Sequence, residues 1–132
     1  MEKEERAARV LFEANKEKDY FLAAIDIYNS LRASWERALE DVAFSRVILR
    51  HKDYINTNGL KNVTVFDQEA CDKFEAGFKK CCDLTDSHDA SRERNADPPG
   101  PAEMLRDIQD LSDWVNSLKD KQKQIAHAST AR

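Results

Sequence analysis

Asn29, Arg32 and Glu36 stand at i, i+3 and i+7, a spacing that on a helix projects an amide, a guanidinium and a carboxylate from one face. Cleavage of RNA by its own 2′-hydroxyl needs a base for that proton, an acid for the leaving oxygen and a cation for the charge that builds on phosphorus. Glu, His and Arg can fill those roles without a metal. Arg32, Glu36 and Arg46, together with His51 and His88, are the candidates for those roles. His88 precedes Asp89 in a polar stretch, where a neighbouring carboxylate would hold the imidazole and raise its pKa. Arg46 and His51 give an R-x-x-x-x-H sequence; on one helix both side chains would reach a common point. Together with Asn29 they are the candidate substrate-binding residues. A plainer reading stands beside each: Arg32 and Glu36 as a helix-surface ion pair worth about 0.2–0.5 kcal/mol, and His51 as an imidazole at the negative end of a helix.

The element that must carry these groups is a long helix from Asp19 to about Asp53. Its apolar line is Phe21, Tyr28, Trp35, Val42 and Leu49, and the line beside it reads Ile25, Arg32, Leu39, Arg46, so charge intrudes at the edge of the stripe. Asp19 is the candidate N-cap, and no Gly or Pro interrupts before Gly59, which permits about 33 helical residues and roughly 50 Å. A short helix over residues 2–16 precedes it. Asn56 to Gly59 signals a turn, and the β-branched run Val63, Thr64, Val65 predicts an extended segment over 60–66. Asp67 caps a predicted helix over 68–84 with Cys71, Phe74, Phe78 and Cys81 inward. Residues 85–101 turn polar and end in Asp97-Pro98-Pro99-Gly100-Pro101, a loop whose last proline suits a first helical turn. A final helix over 102–125 presents Met104, Ile108, Leu111, Trp114, Val115 and Leu118, and residues 126–132 are expected to fray. The expectation is one all-α domain over 1–132, an irregular three- or four-helix bundle with one long central helix. Its second and fourth helices, which hold both tryptophans, should make the central contact.

Composition narrows the functions. The chain has 132 residues, 41% of them hydrophobic, with a net charge of −4, which argues against broad affinity for nucleic acid while leaving room for a few cations at one RNA site. Neither a membrane span nor a secretory leader is visible in the sequence, and three cysteines match no zinc or disulfide spacing, so a cytoplasmic protein with reduced thiols is expected. No phosphate-cradling glycine loop is present, so the chain by itself is not read as an ATPase, and no zinc motif points to a metal or other cofactor.

The run Leu31-Arg32-Ala33-Ser34-Trp35-Glu36-Arg37-Ala38-Leu39-Glu40, then His88-Asp89-Ala90, then the proline-rich lead into Met104-Leu105-Arg106-Asp107-Ile108, Leu111 and Trp114-Val115, resemble the C-terminal helical region of bacterial AAA/ABC-type ATPases of phage-defence systems. The resemblance covers most of the chain. That group includes tRNA anticodon nucleases, whose nuclease half uses an Arg-x-x-x-Glu pair and a distant His; Arg32, Glu36 and His88 match in order. It implies a helical module of a defence-type ATPase system with metal-independent, tRNA-directed ribonuclease activity, an ATPase partner or parent chain, and no cofactor. The competing expectation is a non-catalytic interaction domain that docks on an ATPase partner or associates with itself as a homo-oligomer.

Overall fold

The computed structural model describes residues 1–14, 16–85 and 98–130, with side chains to residue 128. The fold is all-α. Among the described residues there are four α-helices: α1 (Glu2–Glu13), α2 (Glu17–Ala38), α3 (Gln68–Thr85) and α4 (Pro101–Thr130). A π-helical turn over Leu39–Ala43 prolongs α2, and a 3₁₀ segment runs over Thr57–Val65. No helix among the described residues is long and apolar enough to cross a membrane.

The local signals for α3 and α4 act as expected. Asp67 Oδ1 accepts the Ala70 amide at 2.9 Å, and that backbone hydrogen bond is the main reason its carboxyl is held below the ordinary aspartate value. Pro101 opens α4, where its missing amide costs nothing. At α2 the signals mislead. The helix begins at Glu17 with Lys16 as its cap residue, so Asp19 lies in the first turn, where its negative charge suits the helix dipole.

The expected helix to about Asp53 is corrected: the helical path ends at Ala43. Two contacts made by distant parts of the chain stop it. Gln122 of α4 donates to the Val42 carbonyl at 2.7 Å, taking an acceptor that a continuing helix would use. Phe44 turns edge-on to Phe66, with ring centroids 5.6 Å apart. Ser45 and Arg46 then adopt left-handed backbone, with φ of 49° and 59°, a conformation that costs a non-glycine residue about 1–3 kcal/mol and here reverses the chain. The extended segment expected at 60–66 is likewise corrected to the 3₁₀ turn of 57–65. Asn56 Oδ1 accepts the Asn58 amide at 3.1 Å and Thr64 donates to the Lys61 carbonyl at 2.7 Å; these local hydrogen bonds win where the described residues offer no second strand to reward a β run.

One hydrophobic cluster draws on all four helices. The central helix α2 is covered mainly by α3 and α1, while α4 reaches it through a wedge of aromatic rings, which amends the expected α2–α4 core. Trp35 of α2 meets Trp114 of α4 at 5.3 Å and Phe74 of α3 at 5.6 Å; Phe74 also lies 5.7 Å from Trp114. The Trp114 indole N–H donates to the Ala70 carbonyl at 2.9 Å, so its polar edge is satisfied inside the core. Gly77 makes this close approach feasible: a Cβ at that position would lie 2.4 Å from Cζ2 of Trp35.

Polar ties fix the other end of the bundle. The Tyr28 hydroxyl donates to Asp107 Oδ2 at 2.5 Å and the Tyr20 hydroxyl to the Pro99 carbonyl at 2.5 Å, joining α2 to the start of α4. Lys80 of α3 bridges Asp107 at 2.7 Å and Glu103 at 2.8 Å. Burial works against its ammonium, and the hydrogen bonds to the two carboxylates outweigh that cost, leaving it above the ordinary lysine value. Burial pushes the Tyr28 hydroxyl well above the ordinary tyrosine value, and its bond to Asp107 adds to the shift.

Candidate functional site

The polar cluster lies where α2 gives way to the reversal. Asn29 is exposed on α2, and Arg32 and Glu36 are half-buried on it. Arg32 lies close enough to the buried Cys81 thiol of α3 to influence its ionisation. Glu36 forms an ion pair with Arg50 at 3.0 Å, a contact across the reversal that the helix spacing alone does not announce. Glu40, one turn on, takes the same guanidinium at 3.1 Å and accepts the Arg50 backbone amide at 2.6 Å. That amide, ahead of the charge of Arg50 itself, holds the Glu40 carboxyl below the ordinary glutamate value.

Arg46 and His51 do not share a helix. Arg46 sits at the left-handed turn and pairs with Asp41 at 3.3 Å; His51 is exposed beyond it, in the segment that Arg50 pins back. The R-x-x-x-x-H geometry expected of one continuous helix is therefore corrected. His88 lies outside the described residues. The described end of α3 is Thr85, and Leu84 beside it faces Ile25 and Tyr28 of α2 across a small cavity. Arg50 and Glu40, the residues that organise this cluster, escaped sequence reading because their contacts span ten and fourteen positions across a turn no periodicity reveals. Among the described residues, no group of three or more His, Cys, Asp and Glu side chains is placed to hold a metal ion.

Two carboxylates on one guanidinium, reinforced by a backbone amide, form a clasp. It returns the chain after the reversal to the flank of α2, and two further ties complete the anchorage: Val47 is buried, and its carbonyl accepts the Asn56 amide at 2.8 Å. Amid exposed polar residues the clasp presents four large apolar side chains. Ile48 is 59% exposed, Tyr54 62%, Ile55 63% and Leu60 56%, four large side chains in one short segment. Lys52 reaches over the Tyr54 ring at 5.9 Å, and among the described residues neither Lys52 nor Lys61 makes an ion pair.

A second concave feature, of about 490 Å³, runs between α3 and α4. Ala76 and Gly77 keep its α3 wall low, the edges of Trp35 and Trp114 and the side chain of Leu118 form its floor, and Asp110 and Asp113 stand on its α4 wall. Of the cations that line the groove, Lys73 is taken up by Glu69, Lys80 by Asp107 with Glu103, and Lys121 reaches Asp67 at 3.8 Å. No ion pair among the described residues engages Asp110 or Asp113, so the unmatched charge of the groove is negative. Comparison with family models, with curated proteins and with solved structures finds no match for this chain.

Proposed function

We infer that this chain is a helical docking module whose contact surface is the clasped segment from Ile48 to Leu60. The observation that carries this reading is the combination of four exposed large apolar side chains with an anchorage of ion pairs and hydrogen bonds that holds their backbone in place. Exposed apolar area concentrated in one place marks contact surfaces, and a pre-ordered segment loses less conformational entropy on association than a free one. In this reading Glu36 and Arg46 serve the shape of the surface, because their charges are engaged by Arg50 and Asp41. The resemblance to defence-type ATPases points to an ATPase body as the partner, and the interaction-domain reading adds another copy of the module. A photo-crosslinking residue at Ile55, with a control at the exposed Asp26, tests it in the cells that make the protein. Protein adducts at 55 and none at 26 are expected; equal yields at both positions would overturn it.

The ribonuclease reading is favoured by one observation: Arg32 and Glu36 lie one turn apart on α2, and both are partly open to solvent. Arg32 would stabilise phosphate while Glu36 and His88 exchange protons with the 2′-hydroxyl and the leaving oxygen. Its test is the total RNA profile on induction of the wild type, Arg32→Ala and His88→Ala. Cleavage by the wild type alone supports catalysis, and three equal profiles leave docking as the function.

A further inference from the structure

Two surfaces among the described residues carry unpaired charge of opposite sign beside apolar side chains. The clasped segment offers Tyr54, Ile55 and Leu60 with Lys52, Asp53 and Lys61, a net positive set that makes no ion pair among the described residues; the groove between α3 and α4 offers an apolar floor beside Asp110 and Asp113, two carboxylates without ion pairs among the described residues. Apolar side chains stand beside charge of opposite sign on the two surfaces, and the groove, of about 490 Å³, is large enough to take an aliphatic or aromatic side chain. We propose that the occupant of the groove is the Lys52–Lys61 segment of a second copy of this chain, so that the module associates by placing its clasped segment in its neighbour's groove. This rests on the docking reading above and names the partner.

Lys52 and Lys61 would face Asp110 and Asp113, charges at the rim that steer encounter and fix register, while Tyr54, Ile55 and Leu60 lose their exposed area on the groove floor. Because the two surfaces differ, each copy carries one of each. The contact can then close reciprocally into a dimer or continue from copy to copy.

Sedimentation velocity over a concentration series tests the proposal with three proteins: the wild type, a segment variant (Ile55→Ser with Leu60→Ser) and a groove variant (Asp110→Lys with Asp113→Lys). All the substituted positions are exposed, so the folds are checked by circular dichroism and retained. The wild type is expected to associate reversibly, each variant to associate at least about tenfold more weakly, and an equimolar mixture of the two variants to regain association, since each supplies the surface the other lacks. A monomeric wild type, variants that associate as it does, or a mixture that stays monomeric would each overturn the proposal. If Ile55 still crosslinks to another protein while the chain sediments as a monomer, the docking reading stands and only the groove contact falls.

Discussion

Replacing Gly77 by alanine sets two effects against each other. In a helix interior alanine is favoured over glycine by about 1 kcal/mol, so propensity alone predicts a stabilised protein. The new methyl group, however, would lie 2.4, 2.7 and 3.1 Å from Cζ2, Cε2 and Cη2 of Trp35. That indole is 2% exposed and is held between Trp114 and Phe74, so it cannot swing aside without moving both. Crowding of one methylene in a well-packed core costs about 1–3 kcal/mol, and an immobile ring places this site in the upper part of that range. Subtracting the propensity gain leaves Gly77→Ala destabilised by about 1–2 kcal/mol, a fall in Tm of roughly 4–8 °C for a chain of this size. Thermal melts followed by circular dichroism measure it, and near-ultraviolet signals report the displaced indoles. A stabilised Gly77→Ala would refute the reasoning, because it would mean that α3 and α2 separate freely and the aromatic wedge is loosely packed.

Other consequences are as direct. Trp114→Phe keeps most of the apolar volume and removes the donor to the Ala70 carbonyl, so about 1–2 kcal/mol should be lost in urea denaturation, from the hydrogen bond and the smaller ring together. The Cys81 thiol, pushed up to about 12 chiefly by burial, should resist iodoacetamide at pH 8 in the native protein and react once it is denatured, as mass spectrometry of labelled peptides would show. The folded Glu40 carboxyl is depressed below its ordinary value of 4.5, so its contribution to holding the reversal is present above that pH and lost as pH falls through the lower folded value. Hydrogen exchange in residues 45–56 should rise along that acid limb in the wild type and be already raised at neutral pH in Glu40→Gln.

The sequence made the helices legible wherever local chemistry decided them. Asp67 and Pro101 announce the starts of α3 and α4, and the spacing of Met104, Leu111 and Leu118 picks out residues that are buried in the core. It failed where distant contacts decided. Nothing between Leu39 and Asp53 breaks a helix by propensity; the chain reverses because Gln122 and Phe66 offer better contacts from far along the sequence. The same failure hid the polar site. Reading one unbroken helix put Arg46 and His51 on a shared face and left Arg50 without a role, whereas the reversal makes Arg50 the hub that joins Glu36 to Glu40. Arg32 and Glu36 are on α2 as read, and His88 lies outside the described residues.

That hub is where the account is most exposed to test. Arg50→Ala removes the side chain from both carboxylates while leaving α2 and the aromatic core untouched. Hydrogen exchange of the amides in residues 45–56, compared with those of α3, measures the result at neutral pH. Faster exchange confined to 45–56 is predicted, because the guanidinium fixes the segment that carries Ile48, Tyr54 and Ile55. Unchanged exchange there would contradict the claim that these charges exist to hold a docking surface.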